Sequence, residues 1–357
     1  MQRGQMAGAR RQKAPADFVA IQRFFEEKGW TDGLPIVPPT ESLVSEMLAM
    51  TPFPPDEELG KMEPLNGTVT IEKIAANAVM AGCEPSYFPI VVAAMRAIMQ
   101  PQFHVGSTAC TTGGAAPVII VSGPIATEIR VNSGTSCFGG NVKTNATIGR
   151  AVRLTMRNIG GAKPGGMEKS TLGWPGKMSM CYAEAEERTP WEPFRISQGF
   201  SMDQSAVSVL AVRGLIGVTE GAQDSGLGVL ETIAASMRMV GTPVYYQDKA
   251  PVIVSFGPEH AREIADDGFS TRESVQEYLF EHCRLPVKTL RGRGYDGSFW
   301  PEAIDPNDDD ALVPIVTKPS EFWVMVAGGD GRHSAWMPAW NVCEGASEPI
   351  IGSKQRQ

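Results

Sequence analysis

Long apolar runs are missing from this sequence of 357 residues, and their absence excludes a class of protein. No run approaches the roughly 20 apolar residues that a helix needs to cross a membrane. Met1–Lys13 is basic, but no apolar stretch follows it, so we expect no secretory signal. We therefore expect a cytoplasmic protein with no membrane partner.

Paired cysteines and nucleotide-binding motifs are missing as well. The six cysteines are scattered, with no Cys-x-x-Cys pair and no histidine cluster beside them. Neither a disulfide scaffold nor a structural zinc site is expected, and we assign no metal ligands. No GxGxxG pattern opens a βαβ unit and no GxxxxGK[ST] pattern occurs, so the sequence identifies no cofactor.

Positively charged residues are fewer than negatively charged ones. The chain has 32 Lys and Arg residues against 40 Asp and Glu residues, which gives a net charge of -8. Nucleic-acid binding needs a concentrated basic surface, so we expect no nucleic-acid partner. Single hydrophobic cores stop growing near roughly 250 to 300 residues, so a chain of this length predicts two lobes.

An internal repeat is the main feature that is present. Ile71–Gly82 aligns without a gap on Leu230–Gly241. Each copy is followed by an Ala-Pro-Val-Ile strand and a Gly-Pro turn, in residues 116–124 and 250–258, and then by a helix that contains Glu-Ile. We predict an α/β fold in which two pseudo-repeated helix–strand–helix units surround a mixed sheet in a compact, two-lobed protein.

This repeat divides the chain into six parts. They are a disordered tail (1–14), an N-terminal helix and Pro-rich arm (15–69), the first repeat with a glycine-rich loop (70–169), a connecting strand region (170–229), the second repeat with a C-terminal strand and a histidine loop (230–340), and a second tail (341–357). Three prolines stiffen the arm between Trp30 and Thr40, and Thr40 is the predicted cap of the next helix. Such an arm suits the edge of a lid or a contact between subunits, and we expect a homo-oligomer or a subunit of a larger complex.

The predicted substrate site lies between the strand at residues 116–121 and the helix that follows it. Residues 132–141 are small and rich in hydrogen-bonding groups, and Thr144 or Asn145 is the expected N-cap of the helix, whose first amides could hold an anion. A tight turn before a capped helix would give the same pattern. We assign substrate binding to these residues: Thr112, Asn132, Ser133, Asn145, Thr147 and Arg150.

His333 is the first candidate for acid/base catalysis. It follows an apolar strand at residues 322–327 and a glycine-rich turn, a position where α/β enzymes place reactive side chains. His104 is the second candidate. His260 and His282 lie within helical patterns and are expected on the surface.

Three further catalytic candidates lie in or directly before another predicted strand, at residues 178–184. Lys177, Cys181 and Glu184 could supply a base, a nucleophile and an acid. An exposed lysine, a core cysteine and a glutamate at a helix start would fit the same spacing.

Several motifs of the chain resemble the long, poorly characterised bacterial proteins grouped with the UGSC (seleno)proteins. They are Trp30–Thr40, Asn145–Ala151, Gly160–Gly165 and parts of Leu172–Pro193, and the similarity spans roughly Trp30 to His333. The resemblance implies a shared fold and pocket. The Cys- or Sec-Gly-Ser-Cys motif that names the family is absent here, so the family's redox role is not implied.

These observations favour a cofactor-independent enzyme of the hydrolase or lyase type that acts on a small polar or anionic molecule by acid/base chemistry. Two alternatives stay open. One is a thiol oxidoreductase that uses Cys110, Cys137 or Cys181 with a thioredoxin-like partner. The other is a non-catalytic subunit of a larger complex.

Overall fold

A computed structural model describes residues 10–139, 142–222, 225–241, 250–293, 300–340 and 342–353. The α-helices are α1 (Phe18–Glu27), α2 (Glu41–Leu48), α3 (Ile71–Ala81), α4 (Phe88–Ile98), α5 (Val105–Cys110), α6 (Pro124–Glu128), α7 (Lys143–Thr155), α8 (Phe194–Ser197), α9 (Gly226–Met237), α10 (Pro258–Asp266), α11 (Arg272–His282) and α12 (Val287–Leu290). The strands are β1 (Glu58–Met62), β2 (Gly67–Thr70), β3 (Ala116–Ser122), β4 (Cys181–Ala183), β5 (Ala206–Val212), β6 (Ile216–Thr219), β7 (Val252–Phe256), β8 (Arg284–Pro286), β9 (Leu312–Pro314), β10 (Phe322–Val326), β11 (His333–Pro338) and β12 (Ala346–Pro349). Within the described ranges, every helix is too short or too polar to cross a membrane.

The strongest sequence signals mark real element boundaries. Thr40 caps α2, since its Oγ1 accepts a hydrogen bond from the Leu43 amide. Gly82 ends α3 in the left-handed conformation, at φ 87°. The apolar, β-branched run that predicted an interior strand forms β3, and every one of its residues is buried.

The first large sheet has the strand order β12-β5-β3-β4. β3 is parallel to β4 and antiparallel to β5, so this sheet is mixed. α4, which is buried along almost its whole length, packs on β5 and β12, while α3 packs on α7 in the same layer. The layer of helices and the sheet together form the larger hydrophobic core.

The second large sheet has the order β10-β7-β11-β6 and is also mixed. β7 is parallel to β10 and antiparallel to β11. α9, α10 and α11 pack beside this sheet and enclose a second core. The α/β class and the mixed sheets that the sequence predicts are confirmed.

The two sheets face each other. Along β7, Val252, Val254 and Phe256 belong to the second core, whereas Ile253 joins the larger one. This alternation follows from the period of two in a strand. On the inner face, the Tyr182 hydroxyl of the first sheet lies 3.2 Å from the Ser255 hydroxyl of the second. The described chain is therefore layered as helices, sheet, sheet and helices.

Elements of the predicted repeat occur in both halves of the chain. α3, β3 and α6 follow one another in the first half, and α9, β7 and α10 do so in the second. Each half also contributes one strand to the sheet of the other half. β6 follows β5 in the chain but pairs with β11 in the second sheet, and β12 follows β11 but pairs with β5 in the first. This correspondence does not confirm the repeat, which stays a prediction.

Three of the predicted parts can be described in more detail. Residues 346–349, expected in a tail, form β12. The predicted connecting strand region, 170–229, contains β4 and β5, which are strands of the first sheet. Of the N-terminal tail, residues 1–9 lie outside the described part of the chain; Arg11 is described, and it forms ion pairs with Glu41 and Glu72.

Gly257 joins β7 to α10 at a point where there is no room for a side chain. A Cβ atom there would lie 2.3 Å from the backbone oxygen of His333, which cannot move without disturbing β11. We expect Gly257→Ala to lower the free energy of unfolding by about 1–3 kcal/mol, because overpacking against backbone forces the strands apart. Urea denaturation measures this loss. Gly217→Ala, in β6 of the same sheet, is the matched control, since nothing lies within 4 Å of its added Cβ. An equal loss in both variants would contradict this steric explanation.

Candidate functional site

A cavity of about 480 Å³ opens beside the C-terminal half of α7. We call it the cationic cavity because three cations line it: Arg153, Arg157 and Lys177. The remaining lining residues are Asp32, Leu154, Ala162, Pro164, Glu168, Ser170, Leu172, Gly173, Trp174, Pro175 and Met178. Its volume falls within the roughly 300–1,000 Å³ that is usual for small-molecule sites.

Helix geometry places the two arginines on the same side of the cavity. Arg153 lies in the last turn of α7, and Arg157 lies four residues later in a π-helical turn, Met156–Gly160. Residues four apart face the same way on a helix, and π-helical turns are frequent at functional sites. Gly161, at φ 82°, then ends the helix and starts the loop that forms the opposite wall.

Lys177 faces the arginines from a 3-10 turn, Pro175–Lys177. Its Nζ lies 3.3 Å from Glu168 Oε1 and donates a 3.0 Å hydrogen bond to the carbonyl of Ala115, just before β3. Arg153 Nε donates a 2.7 Å hydrogen bond to the Lys177 carbonyl. This ion pair and these two hydrogen bonds thus connect α7, the sheet and the loop around the cavity.

Burial and charge shift the pKa values of both ionisable partners. Burial lowers the pKa of the Lys177 ammonium, and the charge of Arg153 lowers it further, against the opposing effect of Glu168. Burial alone would raise the pKa of the Glu168 carboxyl. The Ser170 hydroxyl and the charges of Lys177 and Arg153 outweigh burial and keep this pKa below its ordinary value.

Two buried nitrogen donors of the cavity have no acceptor among the described residues. They are Arg157 Nε and the indole Nε1 of Trp174. A buried donor without a partner costs about 1–3 kcal/mol, so an acceptor that entered the cavity would relieve this penalty. Gly176 lets the indole lie close to the turn, because a Cβ at that position would be 2.1 Å from the ring.

Two of the predicted substrate-binding residues lie beside the cationic cavity. Arg150 forms a two-point ion pair with Asp32, with both N–O distances at 2.8 Å, and also bonds the Pro35 carbonyl at 3.0 Å. Its guanidinium is thus already occupied by the Pro-rich arm. The Thr112 carbonyl accepts a hydrogen bond from the Thr171 amide, at the start of the cavity loop.

The other predicted binding residues lie near the opposite end of α7. Asn145 is buried, and its side chain holds the backbone of Asn132 through hydrogen bonds of 2.8 and 3.0 Å. The Asn145 side chain therefore stabilises the conformation of this loop. Ser133 accepts a bond from the Gly328 amide, and Thr147 donates to the Lys143 carbonyl. From the 1.5 Å helical rise, Asn145 lies roughly 12 Å along the axis from Arg153.

The predicted N-cap of α7 is wrong. The helix begins at Lys143, with Val142 in the cap position, and no side chain bonds the first amides. Thr144 instead lies inside the helix, buried against the Tyr87 hydroxyl. Asn141 falls outside the described residues.

His333 lies outside the cationic cavity. It is exposed at the first position of β11, where its Nδ1 lies 2.9 Å from the Thr219 hydroxyl of β6. The predicted surface position of His260 is wrong, because this residue is fully buried between Ser334 and the Glu220 carbonyl. His104 is exposed at the start of α5.

Glu184 also lies outside the cavity, at the end of β4. Both of its carboxylate oxygens accept from the Phe194 amide, and Arg272 lies 3.6 Å away. Burial raises the pKa of Glu184 to about 8. The Glu184 side chain therefore stabilises the chain segment after β4 and does not line the cavity.

The cysteines proposed for thiol chemistry are poorly placed for it. Cys181 is buried in β4, and burial raises its thiol pKa. Burial raises the pKa of Cys137 to about 11, and burial together with Glu63 raises that of Cys110. Thiol catalysis needs a thiolate, which these surroundings disfavour.

The described residues contain no group of three or more His, Cys, Asp and Glu side chains arranged to hold a metal ion. No protein-family model matches the chain, and neither does any curated protein sequence. The resemblance to the UGSC proteins therefore stays a prediction.

Of the predicted site residues, the structure places only Lys177 in the cavity wall. Arg153, Arg157, Glu168 and Trp174 were missed. The four-residue spacing of the two arginines, just before Gly160-Gly161, was the available signal, since it puts two cations on one helix face. Glu168 and Trp174 lie in an irregular loop, where no periodic pattern marks them.

Proposed function

We propose that this protein is a cofactor-independent enzyme of the hydrolase or lyase type that binds a small organic anion in the cationic cavity. The charge balance of the cavity carries the proposal. Three cations face two carboxylates, and one of these, Asp32, is already paired with Arg150. Two buried donors there also have no acceptor within the described chain. An anion would supply both the charge and the acceptors.

Five polar residues of the cavity have a role in this proposal. Arg157 and Trp174 bind the anion, and Arg153 holds the turn of Lys177 while adding its charge. Lys177 moves the proton, because its lowered pKa leaves more of its amine neutral near pH 7. Glu168, at 3.3 Å, holds the Lys177 ammonium in place once it is protonated.

The reactivity of Lys177 tests this proposal without a known substrate. The protein is treated with acetic anhydride over a series of pH values, and acetylation of each lysine is measured by peptide mass spectrometry. We expect acetylation of Lys177 to begin at a lower pH than that of the exposed Lys28, because only the neutral amine reacts. Added succinate should slow acetylation of Lys177 but not that of Lys28.

Arg153→Gln provides the matched comparison. Removal of its charge should move acetylation of Lys177 to higher pH, whereas Arg262→Gln, on the exposed side of α10, should leave it unchanged. Acetylation of Lys177 with the pH dependence of Lys28, and with no effect of succinate, would overturn the proposal.

The structure favours this function over the thiol alternative. The candidate thiols have raised pKa values, whereas the lysine of the cavity has a lowered one. We further propose that the protein acts in the cytoplasm as a homo-oligomer or as a subunit of a complex.

A further inference from the structure

We infer that the anion bound in the cationic cavity is amphipathic: an organic carboxylate that carries an alkyl or aryl group. This inference rests on the anion binding proposed above and adds the chemical class of the ligand. It comes from the side chains at the cavity mouth, which differ in kind from the cations deeper inside.

The mouth of the cavity is apolar and exposed. Leu172 is 96% exposed and Met178 is 55% exposed, and both line the cavity. A single exposed leucine is ordinary on a protein surface. Here, however, two large apolar side chains border one cavity, next to the indole of Trp174 and the ring of Pro175. Together they form an apolar rim.

The cations occupy a different part of the lining. Arg153 and Arg157 extend from the helix, and the side chain of Lys177 is only 12% exposed, close to the buried Glu168. A ligand that contacts both parts must have a charged end for the cations and an apolar end for the rim. A cavity of about 480 Å³ also has far more room than one carboxylate group needs.

Size and chemistry thus exclude a bare inorganic anion as the best ligand. Such an ion would satisfy the arginines but would leave Leu172 and Met178 in water. An alkyl chain would cover them, and each methylene group that leaves water contributes about 0.8 kcal/mol, which corresponds to a roughly fourfold change in affinity at full burial.

A series of straight-chain carboxylates from acetate to hexanoate tests the inference by isothermal titration calorimetry. We expect the dissociation constant of the full-length protein to fall two- to fourfold with each added methylene group. In the double variant Leu172→Ser/Met178→Ser, acetate should bind as in the unsubstituted protein, but this dependence on chain length should largely disappear. Both positions are exposed, so the variant should keep its fold.

Two further variants separate this inference from the proposed function. Leu227→Ser/Met202→Ser, exposed sites away from the cavity, should retain the full dependence on chain length. Arg157→Gln should weaken binding of every carboxylate by about tenfold or more and leave the dependence intact, because it removes a charge-assisted hydrogen bond to the head group.

The possible failures are distinguishable. Equal binding of all chain lengths, or a dependence that survives in Leu172→Ser/Met178→Ser, would overturn the amphipathic ligand and leave the anion site standing. A dependence on chain length with no effect of Arg157→Gln would overturn the anion site itself. No binding of any carboxylate would overturn both.

Discussion

Replacement of Arg195 by alanine is expected to lower the free energy of unfolding by about 3–5 kcal/mol, one of the two largest effects predicted for this protein. Arg195 is 2% exposed. Its guanidinium binds both carboxylate oxygens of Glu186, at 2.9 and 3.0 Å, and also donates to the Ser201 carbonyl. Glu186 in turn accepts from the Gly123 amide at the end of β3.

The loss arises because the alanine variant leaves groups without partners. Glu186 would keep its charge in a largely enclosed site, and the Ser201 carbonyl would lose its donor. Arg195→Lys should cost less, since it keeps the charge but cannot reproduce the two-point contact. Urea denaturation at constant pH measures both losses.

Arg262→Ala is the matched control, because this arginine is exposed on α10 and should change the free energy of unfolding by less than about 0.5 kcal/mol. If Arg195→Ala lowered the free energy of unfolding no more than Arg262→Ala, the ion pair between Arg195 and Glu186 would contribute little to stability.

The second large effect is a dependence of stability on pH that comes from Glu184. Its pKa is about 8 in the folded protein, against 4.5 for an ordinary glutamate, because burial outweighs Arg272 and the Phe194 amide. The folded state therefore holds this proton more tightly than the unfolded chain does. The resulting stability is fully present below pH 4.5 and is lost as the pH rises toward 8.

Glu184→Gln should remove this contribution, since the amide is neutral at every pH and can still accept from Phe194. Between pH 4.5 and 8, the unsubstituted protein should lose stability relative to the variant by up to about 1.4 kcal/mol per pH unit, the effect of a single proton. Denaturation at a series of pH values measures both curves.

Glu187→Gln serves as the control because Glu187 is exposed. Its curve should run parallel to that of the unsubstituted protein. Parallel curves for Glu184→Gln as well would mean that Glu184 is ionised in the folded state throughout this range, stabilised by Arg272.

The α/β class and several helices and interior strands were predictable because their signals are local. The apolar run of β3, the cap at Thr40 and the glycine that ends α3 each act within a few residues of the chain. The pairing of the strands was harder to predict from the sequence. β12 is a short strand with partly exposed residues, and its place in the first sheet depends on β5, about 140 residues earlier.

The candidate site was predicted only in part. Lys177 was named, but as a partner of Cys181 and Glu184, which lie elsewhere in the fold. Residues close in sequence along a strand and its ends point to different faces, so nearness along the chain did not bring these side chains together. Arg153 and Lys177 meet because a helix and a loop cross, and Gly149 lets α7 approach that loop closely.

The sequence by itself determined the composition class, many of the helices, the interior strands β3, β4, β7 and β10, and the chemistry of each side chain. These depend on hydrophobic period, caps and turn residues, which are properties of short segments. Only the tertiary structure decided the exchange of β6 and β12 between the sheets, the burial of Glu184 and His260, and the gathering of Arg153, Arg157 and Lys177 around one cavity. Burial and long-range contact set the charge state and the partners of a side chain, and neither is encoded in the residues beside it.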